Sequence, residues 1–218
     1  MYENAQQIIQ SAKRIVVIQA ENPDGDSLGS SIALEEVLSE LGKEVILYCP
    51  VHIPRYLHYI RGWDRVQHDT PAQADAAIIV DTNAEVLLGK ALEASGMRHF
   101  LATHPVVVID HHTAEPTLQF DHTMVAEPAV ATGTLLYTLF TRAGWAINPQ
   151  AAESLLIALM SDSLGLTTPN TTARDFHIAG ELTSLGASNA AIEQRRRDFM
   201  KKSPEILAYK GELIERIE

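Results

Sequence analysis

The sequence predicts an α/β fold: an open, mainly parallel β-sheet flanked by helices, followed by a helical segment. Three observations predict it. Four short apolar runs, Ile15–Ile18, Val45–Tyr48, Ala76–Val80 and Val106–Ile109, are continuous rather than alternating, as strands covered on both faces are. Helical patterns lie between or after them, and alternating strand and helix imply right-handed crossovers on a parallel sheet. Beyond about residue 128 the strand signals fade and helical patterns take over.

The elements follow in order. After the first strand, Leu34, Val37, Leu38 and Leu41 recur at i, i+3, i+4 and i+7. They define one face of a helix over Ser30–Leu41, ended by Gly42 in the C′ position. The second strand, Val45–Tyr48, runs into Cys49. The third, Ala76–Val80, precedes a helix over Glu85–Ala94 closed by Gly96, and Val106–Ile109 is the fourth. Helices are then expected over Thr132–Ala143, Pro149–Met160, Thr172–Leu185 and Asn189–Met200, separated by Gly144, a loop at Pro169 and Gly186. Ser203 and Pro204 suit the N-cap and N1 positions of a last helix. Its apolar residues Ile206, Leu207, Leu213, Ile214 and Ile217 suggest a homodimer contact or a second lobe. Residues 1–128 are read as the α/β part of one domain, 129–202 as its helical part and 203–218 as a terminal linker helix.

Composition narrows the function classes. Hydrophobic residues at 46% and charged residues at 21% exclude a disordered chain. A net charge of −11 argues against long nucleic acid as a partner, although bound cations can invert the field locally for a small anion. The lone Cys49 has no partner for an internal disulfide and is read as an inert core residue. Met1–Gln10 is too polar for a secretory segment, and no apolar stretch approaches the roughly 20 residues that span a bilayer. A soluble, cytoplasmic protein without membrane contact is expected.

The chemistry concentrates at the strand ends. Asn22-Pro23-Asp24-Gly25-Asp26 follows the first strand, Asp81 the third and Asp110-His111-His112 the fourth, while Met160-Ser161-Asp162-Ser163 ends a helix. Ligands gather beyond the carboxyl ends of strands in such sheets. Each site has an ordinary reading alone: a turn with Ser27 capping the next helix, a cap at Asp81, a solvated acid at Asp162, a satisfied polar cluster at Asp110–His112. Together, crowded carboxylates would repel unless cations sat among them. Oxygen donors with one or two imidazoles suit Mn²⁺, Mg²⁺ or Co²⁺. Two such ions about 3.5–4 Å apart can clamp a phosphoryl group and activate water.

The run Asn22–Ser30, then Asp81, then Asp110–His112, then Asp162-Ser163-Leu164-Gly165 resembles the DHH phosphoesterase family. The similarity is closest to its nanoRNase/pAp phosphatase branch, the bifunctional oligoribonucleases, with cyclic-dinucleotide phosphodiesterases as relatives. The Asn-Thr-Thr segment at 170–172 and the helix after it extend the resemblance over nearly the whole chain. It implies a Mn²⁺-dependent phosphodiesterase or phosphatase in which water, activated by metal, attacks phosphorus. Substrates would be dinucleotides such as linear di-adenylate, or 3′-phosphoadenosine 5′-phosphate. It assigns one ion to Asp24 and Asp81 and a second to Asp26, Asp81, His111 and Asp162, with Asp81 bridging. His112 would stabilise charge on the substrate phosphate, and Asp110 would orient a histidine. Asn22, Gly29, Ser30 and Arg174 are candidates for supporting or substrate contacts, Gly29 through close packing and Ser30 through a first-turn position favouring anions. A pyrophosphate or polyphosphate hydrolase is the alternative enzyme, and a degenerate nucleotide-binding regulatory module the alternative outside enzymes.

Two departures from the family pattern stand out. The family usually has a histidine four residues before the first motif aspartate, where this chain has Ala20, so the first metal site is expected to be weaker unless Gln19, Glu21 or water fills the gap. The glycine-rich, histidine-bearing motif of the family's C-terminal substrate-binding domain does not occur in these 218 residues. The remaining candidates read as structural. Arg195-Arg196-Arg197 with Lys201 and Lys202 is taken as a solvated helix face. His52, His58, His68, His99, His122 and His177 are taken as surface or loop residues, His104 as lying at the opposite end of the sheet, and Trp63 and Trp145 as packing residues.

Overall fold

The computed structural model describes residues 1–71 and 73–215. Helix α1 (Tyr2–Ser11) leads into β1 (Arg14–Ile18), α2 (Gly25–Glu40) and β2 (Glu44–Tyr48). Then come β3 (Ala76–Val80), α3 (Gly89–Glu93), α4 (Met97–Thr103), β4 (Val106–Ile109) and β5 (Thr123–Val125). Helices α5 (Thr132–Ala143), α6 (Pro149–Asp162), α7 (Ala173–Ser184), α8 (Asn189–Phe199) and α9 (Pro204–Glu215) complete the described chain.

All strand pairings are parallel, in the order β2-β1-β3-β4-β5. The alternation of side chains along each strand divides the core into two layers. Ile15, Val17, Ile78 and Val107 pack with α1, α2, α5 and α6, while Val16, Ile18, Ile79 and Val108 pack with α3 and α4. The chain steps from β1 outward to β2 and then returns to place β3 on the other side of β1. That reversal opens a crevice between the carboxyl ends of β1 and β3, the switch point where ligands bind in such sheets.

Several expected elements differ. Helix α2 begins at Gly25, because Asp24 is its N-cap: the Asp24 carboxylate accepts from the Asp26 and Ser27 amides, and the Ser27 hydroxyl accepts from the Asp24 amide. Ser27 therefore completes a capping box instead of capping by itself. Ser30 is then the sixth residue of the helix, fully buried, and not in its first turn. Glu85–Ala94 divides into a 3-10 turn over Glu85–Leu88 and the short α3, and Gly96 is the N-cap of α4. The strand β5 and helices α1 and α4 have no counterpart among the sequence patterns.

In the basic cluster Arg196, Arg197, Lys201 and Lys202 are exposed, as a solvated face requires, and Arg195 alone departs from it. Arg195 is partly buried and donates to the Tyr59 carbonyl and to Glu153, both at 2.6 Å, tying α8 to α6 and to the loop after β2. His58 is half-buried, with its ring stacked 3.5 Å from Trp63. Cys49 is buried, which pushes its thiol up to about 11. None of the described residues of α9 is buried, while Ile217 lies outside the described residues. Among these, no helix is long and apolar enough to cross a membrane.

Candidate metal centre

Four elements deliver side chains to the crevice: Asp26 from the first turn of α2, Asp81 after β3, His111 and His112 after β4, and Asp162 from the last residue of α6. Asp26 is fully buried and joins two helices. Its carboxylate accepts from the Thr132 amide at 2.6 Å, the Gly133 amide at 3.0 Å and the Ser30 hydroxyl at 3.0 Å. The N-cap of α5 is Ala131, whose side chain cannot accept a hydrogen bond. Asp26 therefore supplies from a distance the acceptor that exposed helix amides need. The hydroxyl of Thr132 in turn donates to Asp81 at 2.9 Å.

Asp81 adopts the left-handed conformation at φ 62°, a geometry that costs a side-chain-bearing residue about 1 kcal/mol or more. It holds the carboxylate in the crevice. Around it, His111 Nε2 lies 3.1 Å from Asp162, 3.6 Å from Asp81 and 3.7 Å from Asp26. The other ring nitrogen, Nδ1, sits 3.3 Å from the Ala129 carbonyl. An N–H donated there leaves a lone pair on the buried Nε2 facing three carboxylates, the usual second partner of a metal-binding imidazole. Beside it, His112 Nδ1 lies 2.6 Å from Asp110, a carboxylate with no solvent exposure. That contact directs Nε2 of the half-exposed His112 away from Asp110.

The electrostatics match this crowding. Burial and then the charge of Asp162 push the Asp26 carboxyl up to about 7, against the Thr132 and Gly133 hydrogen bonds. Burial, followed by Asp26, Asp24 and Asp162, raises Asp81 far above the carboxylate range. Burial alone would depress His111, but the Asp162 hydrogen bond and the charges of Asp26 and Asp162 outweigh it and raise the imidazole. His112 is raised chiefly by its hydrogen bond to Asp110. All four shifts have one sign: the folded chain holds more protons than the unfolded chain, so stability falls as pH rises. For Asp26 the loss runs from its ordinary 3.8 to about 7, and for the histidines it begins at 6.5 and extends upward. Metal-free protein is therefore expected to lose Tm between about pH 5 and pH 8, and saturating Mn²⁺ to reverse that slope. Thermal melts across this window check it; a metal-free Tm that rises with pH contradicts a buried acidic cluster.

The donor set fits a divalent cation. Two groups bring ligand atoms within 4.8 Å of one another: Asp26, His111 and Asp162, and Asp81, His111 and His112. Carboxylate oxygens with imidazole nitrogen suit Mn²⁺ or Mg²⁺ better than thiolate-seeking metals. Asp24 lies outside both groups, and one of its oxygens is engaged by the α2 amides.

Over residues 14–159 the sequence matches the family described as DHH family, N-terminal domain. The chain belongs to the DHH family. A probable manganese-dependent inorganic pyrophosphatase of Enterococcus faecalis is 26% identical over 212 residues, covering 92% of this chain and 64% of that protein. A bifunctional oligoribonuclease and PAP phosphatase NrnA of Thermus thermophilus is 27% identical over 178 residues, covering 80% and 51%. This DHH chain thus spans between about half and two-thirds of those relatives' lengths. An exopolyphosphatase-related protein from Bacteroides fragilis shares the fold over 100% of this chain and 65% of its own, with a TM-score of 0.84 at 22% identity.

The remaining site candidates of this DHH chain take varied places. Gly29 packs α2 against α6: a Cβ there would lie 2.6 Å from the Ser154 carbonyl oxygen. Asn22 is exposed at the turn before Asp24. Arg174 borders a cavity of about 210 Å³ beside His111, with its guanidinium bound to Glu127 at 2.6 Å and Thr138 at 2.7 Å. Near Ala20, Glu21 accepts from the Lys90 amide at 3.3 Å, and Gln19 is fully buried with both amide atoms unpartnered. No motif in the sequence points to Thr132 and Gly133. The signal was a helix start at Ala131 with no capping side chain, which requires an acceptor from elsewhere in the fold.

Proposed function

We propose that this DHH chain is a Mn²⁺-dependent phosphoester hydrolase acting on short nucleotides, namely linear di-adenylate or 3′-phosphoadenosine 5′-phosphate. The observation that carries this reading is the convergence of Asp26, Asp81 and Asp162 on the buried His111 Nε2, within 3.7 Å at the switch point of the sheet. The chemistry supplied by a divalent cation there would be Lewis-acid polarisation of phosphoryl oxygen and acidification of water. Asp26, Asp81, His111 and Asp162 would hold it. Asp81 and Asp26, joined through Thr132, keep the carboxylates in place before substrate arrives. His112, held by Asp110 and favoured in its protonated form, would direct an Nε2–H at the phosphate oxygens and stabilise charge that grows during displacement.

Asp110→Asn tests that positioning role. The amide weakens the contact that fixes His112 without removing a ligand from either donor group. Turnover of di-adenylate is expected to fall by about 10–100-fold, with Mn²⁺ affinity changed far less. Equal loss of both would place Asp110 in metal binding instead.

The pyrophosphatase name of the Enterococcus relative supports a second reading, hydrolysis of inorganic pyrophosphate by the same residues. Release of AMP from di-adenylate, phosphate from 3′-phosphoadenosine 5′-phosphate, and phosphate from pyrophosphate should be compared with Mn²⁺ and with chelator. Faster metal-dependent turnover of the nucleotides supports the proposal, and faster turnover of pyrophosphate replaces it with the second reading. Metal binding without turnover of any of them favours a regulatory module, consistent with Ala20, whose methyl side chain cannot ligate.

A further inference from the structure

We propose that the groove between the loop after β2 and helices α6 and α8 is a nucleobase site serving the metal centre. This rests on the hydrolase reading and specifies the organic part of its substrate. The cavity has a volume of about 630 Å³, within the roughly 300–1,000 Å³ usual for small-molecule sites. Asp24 and Gly25 line one end of it, so it adjoins the turn that begins the acidic cluster. Tyr56 and Tyr59 from the loop, Leu164 after α6 and Met200 after α8 give it apolar and aromatic surface, and Arg196, paired with Glu193 at 2.7 Å, adds polar lining.

Three features suit it to a planar aromatic group attached to a phosphate. The Tyr56 hydroxyl donates to the Pro23 carbonyl at 3.3 Å, linking a 49% exposed ring to the residue before Asp24. Leu164, Gly165 and Leu166 are consecutive left-handed residues at φ 49°, 72° and 67°, beginning two residues after Asp162. Leu164 is 72% exposed, so this strained geometry holds an apolar side chain in solvent beside the cavity, where an unliganded chain gains nothing by packing. Such strain concentrates at ligand clamps. Bases stack on aromatic and apolar walls, whereas inorganic phosphate or pyrophosphate has no surface that could use them.

The test is binding of adenosine 5′-monophosphate to the whole chain with Mg²⁺ present, followed by calorimetry and by NMR shifts, with inorganic phosphate as the comparison ligand. Leu164→Gly is the main variant because glycine adopts the left-handed geometry without strain and so does not threaten the fold. Tyr56→Ala is the second. Expected is nucleotide binding about tenfold tighter than phosphate, shifts at Tyr56, Leu164 and Met200, and nucleotide affinity reduced about five- to tenfold in each variant with phosphate affinity within about twofold. Nucleotide binding no tighter than phosphate, shifts confined to the Arg174 cavity, or equal loss for both ligands would overturn the proposal. Because the titration needs no turnover, its failure is distinct from failure of the hydrolase reading, which is judged by metal-dependent product release.

Discussion

Replacing Asp81 by Asn is expected to abolish Mn²⁺-dependent hydrolysis while making the metal-free protein more stable. The two effects have one origin. Asp81 is buried, and its ionised form is disfavoured by burial and by Asp26, Asp24 and Asp162. Asparagine keeps the acceptor for the Thr132 hydroxyl, which lies 2.9 Å from Asp81, and tolerates the left-handed backbone better than most residues. It removes only the charge. Turnover should fall by more than about a hundredfold, since a neutral amide is a poor substitute for an anionic donor in the proposed cation site. Metal-free Tm should rise at about pH 8, where a carboxyl raised in the folded state costs stability relative to the unfolded chain, and the gain should shrink toward about pH 5. Wild-type turnover in this variant would remove Asp81 from the mechanism; a lower metal-free Tm at both pH values would show that its charge is compensated within the protein.

The second large effect is expected at Gly29. An added Cβ would meet the Ser154 carbonyl oxygen at 2.6 Å and the Ala158 amide nitrogen at 3.1 Å. Both are backbone atoms of α6, so no rotamer change relieves the clash and the helices must separate. Alanine would gain some helix propensity, about 1 kcal/mol, against overpacking of about 1–3 kcal/mol. The larger consequence is positional. Helix α2 begins at the Asp24–Asp26 turn and α6 ends at Asp162, so sliding one against the other moves carboxylates that share His111. Gly29→Ala should lower Tm and also weaken Mn²⁺ binding by about tenfold, as disturbing the support of a metal site does. Circular-dichroism melts and Mn²⁺ titration measure the two effects separately; an unchanged Mn²⁺ affinity in the folded variant would show that the centre does not depend on this packing.

The parts of the fold legible in the sequence are those with a strong local signal. Ile15–Ile18, Val45–Tyr48, Ala76–Val80 and Val106–Ile109 are apolar without interruption because helices cover both faces of the sheet, and the structure places strands there. The edge strand β5 has three residues, Thr123–Val125, too few for a period to emerge. Helix α4 is seven residues long and follows a glycine that reads as a terminator but acts as an N-cap. Asp26, Asp81, His111 and Asp162 are legible in the order of their motifs, and the family match places residues 14–159 in the DHH family. What the sequence left hidden depends on contacts across the fold. The bond from Thr132 to Asp26 spans 106 positions, and Arg195 reaches Tyr59 across 136. No periodicity encodes either.

The cation site proposed in the crevice between β1 and β3 is built from carboxyl groups that burial and mutual repulsion push toward the protonated form. Calorimetric titration of the metal-free chain with Mn²⁺ at about pH 7, repeated in buffers of different ionisation enthalpy, reads metal binding and proton release together. Mn²⁺ binding is expected to be accompanied by proton release, because Asp26, pushed up to about 7, and the raised Asp81 and His111 must give up protons to ligate. Absence of Mn²⁺ binding, or binding without proton release, would contradict it.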